Sequence, residues 1–595
     1  MDVPDSPSSV SRRAALAGSA AALTATAGCV QRLRNITGSG RSRQLTVEIK
    51  TLPGDSDPFA APIARHFIDG LEAAGIDYRH TLVPENELYR QVLLGHDFDV
   101  YIAPFPYVRQ PDPDVLYPLL HSMFRGELGW QNPFGFSNLE CNDLLSEQRQ
   151  MTGESRREAV ESLQQLLGRT QPFVPLVMPD VLTGARSDRF SGWDRATQQM
   201  PHGLLALDRQ DDTDETLRLT TSDDRITENR NPISATHSQA GSLLELLYDP
   251  LVVDTGSEQI PWLADEIDVS STETDSSTTV TTTVSLRENL TWHDGDTLTV
   301  EDVVFTYRFL ADTALGEAAN PIPAPRFRGA TTLVESVESL DSRTVQFTVE
   351  SASETVVEQL LTVPIFPAHI WDEQSETVSV AGIEIDGSTT EALVWDNPEP
   401  VGSGPLQFES ATVGESVRFS RFDDHFLTAL TEPLGDGLSA PSFTDLVVEI
   451  NSSGTTVVEV LVAGEVDATL SPIAPARVER IERESALSLF DARSYASYHL
   501  GFNTRREPFG DPNFRQTVGR LFDKQWIAAE IFDGYGEPIS SPLAATDWLA
   551  ADFVFDGDDP ATPFLGADGD VDATAARNAF RDLGYQYNDA DELIQ

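Results

Sequence analysis

The sequence predicts an α/β protein, and three observations carry that prediction. An alternating strand pattern, LTVEIK at 45–50, is followed by a helix pattern at 62–76 and a second strand pattern, FDVYIAPF at 98–105. A helix pattern at 157–169 runs into another apolar strand pattern, PFVPLVMP at 172–179. The chain, at 595 residues, is long enough for more than one lobe, each with its own core. Strand–helix–strand succession is the mark of a sheet covered by helices.

The helix over 62–76 follows from the spacing of Ile63, Phe67, Ile68 and Leu71, with Gly75 as its stop. The helix over 157–169 follows from Val160, Leu163, Leu166 and Leu167. PFVPLVMP reads as a short strand punctuated by prolines. Between 206 and 217 the chain turns strongly polar, which suggests a boundary or loop; LRLTT then starts another strand. The Ser/Thr-biased stretch 270–289 becomes β-branched and alternating, so a polar hairpin running into a strand is expected. Residues 560–572 are acidic and loop-like. ATAARNAFRDLGY closes the chain as a helix ending at Gly584.

The charge is extreme, with 41 basic residues against 95 acidic ones and a net of −54. Lysine is nearly absent: Lys50 and Lys524 stand alone among arginines. Dispersed acid without lysine reads as adaptation to molar salt, where the Debye length is ~3 Å and like charges are screened. Disorder is the rival reading, but 8 Trp, 12 Tyr and 29 Phe are spread through the chain. Nothing offers a basic stripe with interleaved aromatics, so nucleic acid is not an expected partner.

SRRAALAGSAAALTATAGC at 11–29 resembles a twin-arginine export signal ending in a lipobox. Arg12 and Arg13 precede an uncharged, Ala-rich run too short to span a bilayer. Cys29 is the expected lipidation site, which makes 1–29 the signal and 30–44 a flexible tether. The other cysteine, Cys141, is then left without an intramolecular partner and is expected to be buried.

WHDGD at 292–296 raises a question of chemistry, because His293, Asp294 and Asp296 could bind metal or move protons. The ten histidines are never closer than fourteen residues, so no i, i+4 metal pair exists. No G-x-S-x-G, Walker loop or Cys-x-x-Cys is present either. No catalytic residue, metal or cofactor is expected.

Six stretches in order decide how the segment is read: LLELLYDPLV (243–252), PWLADE (261–266), SLRENLTWHDGDTLTVEDVVFTY (285–307), GSGPLQF (402–408), LVAGEVDA (461–468) and GFNTRREPFGDPNFRQTV (501–518). Together they resemble the peptide/nickel-class solute-binding proteins of ABC importers, family 5. The resemblance implies that HDGD is structural, with Asp294-Gly295 in a tight turn and Thr299 and Asp302 starting the next helix. It also implies a two-lobed, periplasmic-binding-protein-like α/β fold (class II, large cluster).

The order of segments departs from the family. Residues 98–122, 132–147 and 155–180 resemble the family's last third, yet they precede its head. The chain therefore reads as a circular permutant, with 217–595 followed by 45–212 as the usual order. Lobe I would be 191–489, and lobe II would be discontinuous, 45–190 plus 490–595. A fusion of two truncated copies is the rival; no duplicated segment supports it.

Cleft candidates follow from the resemblance: Thr236 and His237 after Asn231-Pro232, Trp548 after SSPL, and Tyr107 and Arg109 before Asp112-Pro113. Arg109 stands where peptide-binding members carry an aspartate for the peptide amine. A guanidinium there favours carboxylate, phosphate or sugar hydroxyls. The implied function is a monomeric, lipid-anchored receptor on the outer face of the cytoplasmic membrane. It would hand a peptide-like or other small polar solute to ABC permease subunits. A ligand sensor without transport and a hydrolase remain the alternatives.

Overall fold

The computed structural model describes residues 43–54, 56–105, 112–194, 201–210, 214–234, 242–256, 258–273, 278–378, 389–435 and 437–594. One 12-stranded sheet runs through the molecule. Its centre is a 14-residue strand, Phe173–Arg186. On one side lie Tyr498–Phe502, Val100–Pro104, Thr46–Thr51 and Asp77–Leu82; on the other lie Ala468–Thr469, Thr216–Thr221, Asp445–Ile450, Ser416–Arg421 and Leu406–Thr412. The central strand is thus shared by two lobes. Leu487–Arg493 pairs antiparallel along its second half, Asp180 to Arg186, and makes a second crossing.

The central strand is longer than the expected PFVPLVMP. Pro175 and Pro179 looked like breaks, yet each sits in register opposite a partner, His499 and Gly536. A proline costs a donor, not extended geometry.

Side chains alternate across the sheet of the second lobe. Val100 and Ile102 enter one core with Val47, Ile49, Phe67, Phe514 and Phe580. Tyr101 and Ala103 enter another with Phe134, Leu163, Phe173 and Cys141. Helix Ala60–Ala73 links two parallel strands on the first face, and its chain reverses at Gly75, φ +76°. Helices Leu139–Gln150 and Gly153–Thr170 cover the second face. Cys141 is fully buried and free; burial pushes its thiol up to about 12.

Residues distant in sequence stitch this lobe together. The Leu45 amide donates to Leu593 O at 2.8 Å, and the Leu593 amide to Gly75 O at 2.7 Å. Arg577 Nε reaches Ala73 O at 3.1 Å from helix Ala573–Asp582, which ends before Gly584, φ +93°. Asn503 Nδ2 donates to His96 O and Phe98 O, and Arg515 Nε to Gln171 O at 2.7 Å. Both lysines are buried here. Lys50 Nζ donates to Asp97 O, and Lys524 Nζ donates to Ile539 O and pairs with Asp559.

The first lobe has a four-stranded antiparallel sheet beside its half of the large one. Its hairpin, Ala264–Glu273 with Thr278–Leu286, is the expected Ser/Thr-rich one, with Val280, Thr282, Val284 and Leu286 inward. Three of the motif blocks meet at Asp249: Oδ1 accepts from Trp262 Nε1 at 2.7 Å, and the backbone amide points at Ser403 Oγ, 3.4 Å. His425 Nδ1 accepts from the Leu427 amide, so its Nε2–H donates to Asp249 Oδ2 at 3.3 Å. Among the described residues no helix is long and apolar enough to cross a membrane.

Candidate functional site

WHDGD resolves as structure. The His293 amide donates to Gly402 O, its Nδ1 accepts from the Gly402 amide at 3.1 Å, and its Nε2–H donates to Gly404 O at 3.0 Å. Burial holds the ring's pKa down at about 4, so it is a neutral clip between two motif blocks. Gly295 turns at φ +91°, and Thr299 with Asp302 forms the capping box of helix Val300–Ala311. Asp294 Oδ2 and His369 Nε2 lie 2.8 Å apart at the surface; with Asp296 they offer ligand-capable atoms within 4.8 Å of one another. This group lines neither of the cavities described next.

Two cavities lie between the lobes, each about 390 Å³. The first is walled by Asp112, Asp114, Val115, Pro118, Leu119 and Gly129–Gln131 of the second lobe and by Tyr248, Pro250, Phe327, Ala330 and Leu333 of the first. The second lies against the crossing strands, with Val181, Thr183 and Phe490 facing Phe105, Tyr498 and Leu219. Leu244 borders both. It sits on the short turn Leu243–Leu246, which Ser242 Oγ caps by accepting the Leu244 amide at 3.1 Å.

Most of the charged groups described on these walls are bound into pairs. Asp112 takes Arg156 Nη2 at 2.5 Å while capping the turn that begins at Pro113. Asp114 takes Arg149 at 2.6 and 2.9 Å and Gln148 Nε2 at 2.8 Å. Arg149 stacks over Tyr117 and also reaches Gly329 O and Thr332 Oγ1 in the other lobe, both at 3.3 Å. Beside it Arg328 forks onto Glu127. At the second cavity Arg225 bridges Asp223 of its own lobe and Glu85 of the other, at 2.6 and 3.1 Å. Burial raises the Glu85 pKa, and Arg225 opposes that rise.

Of the residues expected in the cleft, Tyr107, Arg109, Thr236 and His237 lie outside the described residues, as does Cys29. Trp548 is described and lines neither cavity. Its ring lies near the guanidiniums of Arg156 and Arg157, at 4.9 and 5.3 Å, and its carbonyl accepts from Gln164 Nε2. It packs behind the wall that Arg156 holds through Asp112. Sequence reasoning missed Arg149, Arg225 and Arg328, whose cross-lobe partners are remote in the chain.

A family model described as bacterial extracellular solute-binding proteins, family 5 Middle, matches residues 258–594, more than half of the chain. The chain belongs to that family. Di/tripeptide-binding protein 1 of Pseudomonas aeruginosa is 25% identical over 302 residues, 49% of this chain and 51% of that protein. Oligopeptide-binding protein AppA of Bacillus subtilis is 24% identical over 268 residues, 44% of this chain and 43% of that one. The chain thus spans about half the length of these curated relatives. The solved structure of Bacillus subtilis AppA in complex with a nonapeptide aligns at 18% identity and a TM-score of 0.44, covering 64% of this chain and 66% of that one.

Proposed function

We propose that this family member is the extracytoplasmic receptor of an ABC importer. It captures a peptide-like or other small polar solute between its lobes and delivers it to permease subunits in the membrane. The observation that carries this reading is the pair of interlobe cavities beside two crossing strands, a geometry in which bending at the strands opens and closes the cleft. The ion pairs on the walls, Asp112 with Arg156, Asp114 with Arg149 and Arg225 with Asp223 and Glu85, support a binding role. Arg109 lies in sequence between Phe105, on one cavity wall, and Asp112, on the other. It is the proposed contact for a carboxylate, phosphate or hydroxyl of the solute, with Tyr107, Thr236 and His237 beside it. Cys29 is the proposed lipid anchor, which holds the monomer to the outer face of the membrane. Net charge −54 with two lysines supports a setting of molar salt.

The order of segments is part of the same proposal. The chain is a circular permutant of the family fold, supported by the Leu45–Leu593 hydrogen bond and the core that 45–177 shares with 498–593. Rejoining is feasible because those ends already touch.

The test is mass spectrometry of solutes retained by protein purified in molar KCl, followed by small-angle scattering with and without each solute. Retention of a solute that shrinks the particle supports the receptor. Absence of any solute that binds and changes the interlobe distance overturns it.

A further inference from the structure

We propose that the first cavity holds a bulky, uncharged apolar group of the solute; the proposal rests on the receptor reading above and narrows it. The solute is then amphipathic, with a polar part elsewhere in the cleft and an apolar part here.

The wall chemistry argues for this. Five prolines line the cavity: Pro118, Pro232, Pro250, Pro325 and Pro364. Proline has no amide hydrogen, so these positions offer no backbone donor to a polar ligand. Trp130, Phe327, Leu333 and Val253 supply apolar surface between them.

The charges described on the wall are already spent on one another. Asp112 is held by Arg156 and Asp114 by Arg149. Glu245 stands 3.9 Å from Arg326, whose Nη1 also donates to Pro232 O at 3.0 Å. The Tyr248 hydroxyl accepts from Asn397 Nδ2 at 2.8 Å. Among the described residues, a charged group entering here would lose water without gaining a free counter-charge, or would have to break a buried pair. Both are costly. An apolar group loses nothing and gains contact with both lobes, so it favours the closed form.

Size agrees with chemistry. A dry apolar cavity of about 150 Å³ is enough for benzene. This one, at about 390 Å³, takes an aromatic or branched aliphatic group larger than one ring.

The second cavity is richer in hydroxyl groups. It mixes apolar residues with Thr183, Thr221, Ser471 and Ser494, and with the Arg225 cluster.

The experiment uses the full chain in molar KCl and the neutral apolar probe N-phenyl-1-naphthylamine. Two partly buried wall residues, one from each lobe, are changed: Val115→Asp and Ala330→Trp. Leu340→Asp, on an exposed turn, is the control. Wild type and control should show saturable fluorescence enhancement, and each wall variant should bind at least tenfold more weakly while melting like wild type. No saturable binding in wild type overturns the proposal. So does equal affinity in Ala330→Trp, the variant that keeps the wall uncharged. Scattering separates the two readings. A purely polar solute that shrinks wild type and both wall variants alike would sink this proposal and leave the receptor standing. Failure of every solute to change the particle would sink the receptor itself.

Discussion

The guanidinium of Arg328, in the first lobe, forks onto the carboxylate of Glu127 in the second, with Nε–Oε2 at 2.9 Å and Nη2–Oε1 at 3.0 Å. The pair lies beside the first cavity and is made only when the lobes are together. Arg149 to Gly329 O and Arg225 to Glu85 are bonds of the same kind at other points of the cleft.

Arg328→Ala should therefore populate open forms. The two side chains are 19% and 27% exposed, so the pair is partly screened and worth about 1 kcal/mol. That multiplies the open fraction roughly fivefold. Distances between spin labels on the two lobes would report it. A distribution identical to wild type would mean that the pair contributes nothing to closure.

Gly404→Ala should unfold the first lobe's motif junction. A Cβ there would lie 2.2 Å from Leu246 O, and one on Gly402 would lie 1.8 Å from Leu247 O. Both obstacles are backbone, so relief requires main-chain movement, which costs about 1–3 kcal/mol or more. Gly454→Ala, with open space around its Cβ, should melt like wild type. Equal melting temperatures for Gly404→Ala and wild type would refute the close-packing account.

Acid should weaken the fold through His499. The ring is fully buried, hydrogen-bonded to Tyr101 Oη at 2.8 Å and stacked 3.7 Å from Phe105; burial pushes its pKa down to about 3. The folded state binds this proton less well than the unfolded chain, whose histidine titrates near 6.5. The stability it contributes is complete above pH 6.5 and is lost as pH falls from there towards 3. In His499→Phe, the slope of unfolding free energy between pH 6.5 and 4 should be shallower by up to about 1.4 kcal/mol per pH unit. Urea titrations across that range test it, and parallel slopes would count against it.

Lowering salt should destabilise the protein, because a net charge of −54 is then unscreened. The melting temperature should fall between molar and ~0.1 M KCl. A constant value would remove the argument for a salt-adapted surface.

Short-range rules carried much of what was legible. The capping box at Thr299 and Asp302, the turn at Gly295 and the stop at Gly75 are written within a few residues of themselves. The Ser/Thr hairpin was legible because its inward face alternates strictly. The crossing strand was read short, since Pro175 and Pro179 resemble breaks until their partners are known. The cleft's charge pairs were illegible. Arg328 and Glu127 are separated by 201 residues, and no local pattern marks either one. The motif neighbours of Trp548 point to the cleft, but its surroundings are decided by Arg156 and Gln164 on helix Gly153–Thr170.

The two lysines lie at 3% and 2% exposure, and both belong to the second lobe. Reagents that acylate side-chain amines therefore find no ready target on the native surface, and beads or dyes must be attached by other chemistry. The same concealment makes amine reactivity a reporter of breathing. Labelling of Lys50 reads the opening of the sheet around Asp97, and labelling of Lys524 reads the loosening of the Asp559 corner. Neither residue reports on the first lobe, whose unfolding would pass silently by this measure.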